Sequence, residues 1–113
     1  MSARKVGSAA AIALSLLFAQ GAAAGGKAEA GKAKAAQVCA ACHGADGAKP
    51  SAPDQPILAG QYYDYLLKAM TDYKSGKRNN AIMKGFAASL SVQDMEDLAA
   101  WFSTQKSSLH FQR

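Results

Sequence analysis

The sequence predicts a small all-α domain: three main helices with short helical turns between them. Three observations carry that expectation. Apolar residues recur at spacings of three and four in two long stretches, 61–75 and 91–104. The second stretch opens on a capping sequence, Ser91 with Asp94 three residues on. No strand-like alternation surrounds the pair of cysteines at 39 and 42, the only two in the chain.

The elements follow in chain order. Arg4 and Lys5 precede an apolar run, Ala9 to Ala19, which Gln20 and Gly21 break. Ala22-Ala23-Ala24 then offers small residues at the −3 and −1 positions of a cleavage site, so residues 1–24 are expected to be a secretory signal peptide. The run is shorter than the roughly 20 residues that span a bilayer, which disfavours a membrane anchor. Loss of that segment leaves 11 basic and 8 acidic side chains, reducing the whole-chain net charge of +5 to +3. So weak a basic balance is not that of a nucleic-acid binder. Residues 25–31 (GGKAEAG) read as a flexible leader.

Lys32 to Ala41 is alanine-rich and is expected to form the first helix, with Ala35 or Ala36 offering a close approach to Trp101 or Phe102 of the last. It runs into Cys39-Ala40-Ala41-Cys42-His43, the C-x-x-C-H signature of covalent haem attachment. Residues three apart share a helical face, so both thiols can meet two vinyl groups on one haem edge. The next residue, His43, is the proximal iron ligand of that arrangement. A Cys39–Cys42 disulfide would close a tiny loop and stabilise little. A zinc site would have to recruit Cys39, Cys42, His43 and His110 without a second closely spaced ligand pair.

After His43 come a glycine-rich turn (Gly44 to Gly47) and a proline-bearing loop, Ser51 to Gly60, which cannot be regular helix. A haem-ligating His needs an acceptor for its other ring N–H, and the backbone carbonyl of Pro53 is the candidate. Gln61 to Ser75 is the second main helix, with Tyr62, Leu66, Ala69, Met70 and Tyr73 on one stripe. Lys77 to Asn80 is a polar loop, and 81–90 holds one or two turns interrupted by Gly85. Ser91 to Thr104 is the third helix, lined by Val92, Met95, Leu98, Ala99 and Phe102. Residues 107–113 are expected to be a tail.

CAACHGADG (39–47), PILAGQYYDYLLKAM (56–70), GKRNNAIM (76–83) and LSVQDMEDLAAWFSTQ (90–105) together resemble the small class I bacterial cytochromes c, closest to a single domain of the c4, c5 or c553 type. The resemblance covers most of residues 32–106, the expected monohaem domain. It implies the class I cytochrome c fold, with the helices wrapped around one covalent haem c, and export before haem attachment.

Of the methionines beyond the leader, Met70 and Met95 sit in helical stripes, where a methionine is usually core filler. Met83 is expected in irregular chain and matches the family's distal position, so it is assigned as the second axial ligand; His110 reads as a tail residue. His/Met ligation leaves no open iron site, which predicts an electron carrier and not an enzyme. The resemblance puts the exposed haem edge near Cys39, beside Ala40, Ala45 and Ala48. The expectation is a periplasmic shuttle, monomeric or weakly dimeric, without stable membrane insertion. Its partners would be membrane reductases or oxidases, or periplasmic enzymes. Lys49, Lys77 and Lys84 are candidate steering charges. The competing readings are a haem subunit permanently docked to an exported dehydrogenase or sulfur-oxidising enzyme, and an open-site peroxidase-like protein.

Overall fold

The structure is a computed structural model that describes Ser2, Gly7 and residues 25–109. Apart from Ser2 and Gly7, the expected signal peptide lies outside the described residues, as does His110. Five helices follow in order: α1 (Ala28–Val38), α2 (Ala40–His43), α3 (Tyr63–Ser75), α4 (Ala81–Ala88) and α5 (Val92–Ser103). Among the described residues there is no strand, so the all-α expectation holds.

The core forms where α1 and α3 both pack on α5. Ala35, Leu66, Leu90, Met95, Leu98, Ala99 and Phe102 make one buried cluster, with Val38, Leu58, Tyr63, Leu67, Met70 and Trp101 packed against it. On α3 the buried stripe is therefore Tyr63, Leu66, Leu67 and Met70, at i, i+3, i+4 and i+7. It is offset from the expected one: Tyr62, at the head of that stripe, is 60% exposed.

α1 begins at Ala28, inside the stretch expected to be a flexible leader. Two glycines are the physical reason. A Cβ on Gly31 would lie 1.9 Å from the Asp97 carbonyl oxygen, so α1 and α5 touch backbone to backbone there. Gly26 makes an equally close approach to the carbonyl of Glu96. The buried Asp97 carboxylate ties the start of α1 to α5, accepting the Lys27 N–H at 2.7 Å and the Gln93 side-chain amide at 2.8 Å. Ala35 is buried in this crossing, as expected, whereas Ala36 is exposed.

α5 starts as its sequence predicts. Ser91 Oγ accepts the Asp94 N–H at 3.0 Å, and the Asp94 carboxylate accepts the Ser91 N–H at 2.9 Å. The Ser91 N–H, together with Lys34 at 3.4 Å, holds the Asp94 carboxyl below its ordinary range. α4 departs from expectation, running unbroken through Gly85. Its start is fixed by Asn80, whose side chain accepts the Met83 N–H at 3.0 Å. That cap, with packing on α3, outweighs the roughly 1 kcal/mol cost of a mid-helix glycine. Of the expected tail, Ser107 docks against Gly60.

Candidate haem site

Cys39, Cys42 and His43 meet at a break between two helices. Cys39 ends α1 and at once begins the single turn of α2; its carbonyl accepts the His43 N–H at 3.0 Å. Both thiols are free and half-buried, three residues apart on that turn. Burial pushes the Cys39 thiol up to about 11, so it is held protonated and weakly nucleophilic at neutral pH. Conversion to a thioether removes the ionisable proton altogether.

His43 is 6% exposed, one of two buried polar or charged residues among those described. Its Nδ1 lies 2.9 Å from the Pro56 carbonyl oxygen. A carbonyl only accepts, so Nδ1 must donate, and the neutral ring then keeps its lone pair on Nε2. The acceptor is thus Pro56 and not Pro53. Ala52 and Gln55 close a turn through a 3.1 Å backbone hydrogen bond, which leaves Pro53 exposed on its outside. Only after that turn does the chain run back beside the histidine.

The loop carrying Pro56 is itself clamped. Gly47 accepts the N–H groups of Leu58 at 2.8 Å and Ala59 at 3.1 Å. Gly47 has φ 76°, in the region that favours glycine, and a Cβ there would sit 2.8 Å from the Phe102 ring. Trp101 Nε1 donates to the Ala45 carbonyl at 3.1 Å, so α5 holds the segment after His43 from the far side.

Met83 lies on α4, not in irregular chain, and is partly exposed. Met95 belongs to the buried core and Met70 packs against it; Met83 does neither. Ile82 and Phe86, on the same helix, are 68% and 43% exposed. α4 therefore presents apolar side chains and a thioether that the protein core does not use.

These residues fit a covalently held haem. Two thiols stand three residues apart on one helical turn, followed directly by a buried imidazole whose Nδ1 is held by a carbonyl, which leaves Nε2 for the iron. Among the described residues no group of three or more His, Cys, Asp or Glu could hold a bare metal ion, so the zinc alternative finds no ligand set there.

Comparison with known proteins agrees. The sequence model described as cytochrome c matches residues 28–106. The chain is 57% identical over 86 residues to cytochrome c4 of Pseudomonas aeruginosa, a match covering 76% of this chain and 42% of that one. It is 46% identical over 66 residues to the thiosulfate dehydrogenase electron acceptor of Stutzerimonas stutzeri, covering 58% of this chain and 31% of that one. The crystal structure of reduced recombinant cytochrome c4 from Pseudomonas stutzeri superposes with a TM-score of 0.67 at 47% identity, covering 74% of this chain and 48% of that one. The chain thus spans less than half the length of these relatives. Fold, attachment motif and relatives converge: the chain belongs to the cytochrome c family, in its class I branch of the cytochrome c4 type, and its cofactor is covalently bound haem c.

Proposed function

We propose that this protein is an exported one-electron carrier with its iron held between His43 Nε2 and Met83 Sδ. The observation that carries the reading is the 2.9 Å contact between His43 Nδ1 and the Pro56 carbonyl, which commits the ring to a ligand's tautomer in advance. Cys39 and Cys42 anchor the macrocycle by thioether bonds. Pro56 orients the imidazole, and Gly47 with Trp101 keeps that loop from shifting. Met83, on α4, would supply the second ligand, which would close the iron to small molecules and favour the ferrous form. The bound haem supplies an iron that alternates between ferrous and ferric. With His43 and Met83 both holding the iron, the chemistry would be outer-sphere transfer through an edge near Cys39, where Ala40, Ala45 and Ala48 leave only small side chains in the way.

Export by residues 1–24 and work in the periplasm complete the reading. Among the described residues no helix is long and apolar enough to cross a membrane. Similarity to a thiosulfate dehydrogenase electron acceptor favours one alternative, service to a sulfur-oxidising enzyme.

The test uses protein matured with its haem in a periplasm. The wild type should hold haem through denaturation and, when oxidised, show the weak red charge-transfer band of methionine bound to ferric iron. Met83→Ala should abolish the band, lower the potential and admit cyanide, while Met70→Leu and Met95→Leu keep the band. A wild type without the band that turns over peroxide would replace the carrier with an open-site enzyme.

A further inference from the structure

Charge along this chain is unevenly placed. Residues 73–93 carry Lys74, Lys77, Arg78 and Lys84 and no carboxylate, whereas the rest of 25–109 carries six cations against eight carboxylates. The fold gathers three of these cations at one spot. Lys77 and Arg78 follow the left-handed Gly76 turn that ends α3, and the Lys84 ammonium reaches back from α4 to within 3.8 Å of where a Gly76 Cβ would stand. Lys74 is spent elsewhere, its ammonium donating to the Leu90 carbonyl.

Arg78 is held in a fixed pose. Its guanidinium lies 4.9 Å from the Tyr73 ring centroid, Nη1 donates to the Tyr65 hydroxyl at 3.3 Å, and its backbone N–H is bound to the Asp72 carbonyl at 3.0 Å. Beside it is a shallow cleft of about 190 Å³, lined by Tyr65, Lys68, Ala69, Asp72 and Arg78. Asp72 is paired with Lys68, so two cations and one carboxylate leave the cleft net positive. The plain alternative is that these cations offset the C-terminal end of the α3 dipole. One flexible lysine in the last turn would do that, and Lys74 is there; a stacked, hydrogen-bonded arginine is a costlier device with a more specific use.

We propose that the α3–α4 turn is a docking pole for an acidic protein partner, with a carboxylate of that partner received by Arg78 in the cleft and steered there by Lys77 and Lys84. This rests on the electron-carrier reading and adds to it where the partner binds and what charge it bears. A planar, pre-oriented guanidinium matches a carboxylate fork, and its stacked pose lowers the entropy lost on binding. The cation-rich segment 73–93 against a net-negative remainder gives the molecule a dipole that orients it during approach.

The experiment measures adsorption of the haem-loaded protein to a carboxylate-terminated alkanethiol monolayer on gold, by microbalance, across a series of salt concentrations. Lys77→Glu/Arg78→Glu/Lys84→Glu should weaken adsorption by at least about tenfold at low salt, a difference that shrinks as salt screens the charges. Lys27→Glu/Lys32→Glu/Lys106→Glu makes the same change in net charge at exposed positions outside the pole, and should weaken it by under about threefold. Equal losses in the two triples would overturn the pole. Arg78→Lys should fall between wild type and the triple; wild-type affinity in that variant would overturn the role of the fork. Sedimentation of wild type with phosphatidylglycerol vesicles under conditions where it leaves the monolayer bare would mean that the pole serves a lipid surface, and would overturn the protein partner. Midpoint potential and the methionine band, measured on every variant, keep the two readings separate. A band missing from wild type defeats the carrier, whereas an intact band with equal losses defeats only the pole.

Discussion

Gly31→Ala and Gly85→Ala are the same substitution, in two helices of one protein, and the structure predicts opposite signs. At Gly31 the new methyl would lie 1.9 Å from the Asp97 carbonyl oxygen, 2.5 Å from its carbon and 2.9 Å from the Trp101 Cβ. The first two are backbone atoms, so no side-chain rotation relieves the contact and α5 itself must retreat by more than an ångström. That retreat loosens Ala35 against Phe102 and strains the 2.7 Å hydrogen bond from Lys27 to Asp97. Overpacking costs about 1–3 kcal/mol. Loss of that hydrogen bond adds about 1 kcal/mol. The gain in helix propensity returns only about 1 kcal/mol. The net is a destabilisation of about 2 kcal/mol, and a domain this size loses roughly 4–8 °C of Tm for each. At Gly85 nothing lies within 4 Å of the added methyl, so propensity alone acts and the protein gains about 0.5–1 kcal/mol. Thermal unfolding of the haem-loaded proteins, followed by far-ultraviolet circular dichroism, checks both. A Gly31→Ala protein as stable as wild type would refute the backbone contact between α1 and α5.

The remaining predictions are narrower. Asp94 is held below its ordinary carboxylate range, first by the Ser91 N–H and further by Lys34, so its contribution is fully present above about pH 4 and is lost as pH falls through the lower folded value. Asp94→Asn should flatten that acid limb in unfolding measurements and cost about 0.5–1 kcal/mol at neutral pH, the scale of a partly exposed cap. Phe102→Ala, at a residue 2% exposed between α1 and the Gly47 turn, should cost about 3–5 kcal/mol in denaturant melts. Pro53→Ala should leave the midpoint potential unchanged, since the carbonyl that meets His43 belongs to Pro56; a shift like that of Pro56→Ala would contradict the assignment.

What could be read from the sequence is what short-range chemistry decides. The C-x-x-C-H spacing and the Ser91–Asp94 box are local, and the elements they define stand where the residues placed them. The start of α1 was hidden because AEAG reads as weakly helical and flexible. Its glycine serves a contact with Asp97 that no local pattern shows. The α3 stripe was offset because a helix with apolar residues on two adjoining faces has no single phase, and α5 selected Tyr63, Leu66, Leu67 and Met70. Pro56 was missed for Pro53 because the turn closed by Ala52 and Gln55 decides which carbonyl faces inward. Gly85 makes the sequence around Met83 look like broken helix, although α4 runs through it. The signal that could have corrected this was Asn80, a good helix cap three residues earlier.

The tie between Lys27 and Asp97 spans 70 residues, and that between Trp101 and Ala45 spans 56. Contacts so distant along the chain cannot form until its last helix has been made, and closing such long loops is slow. A chain emerging from its amino end therefore shows residues 39–43 to its surroundings well before α5 arrives to hold the segment that follows them. Through that interval the Cys39 thiol is solvated, and the desolvation that raises its pKa in the folded protein is not yet in force. Order of assembly thus leaves Cys39 open to its surroundings before the fold closes around it.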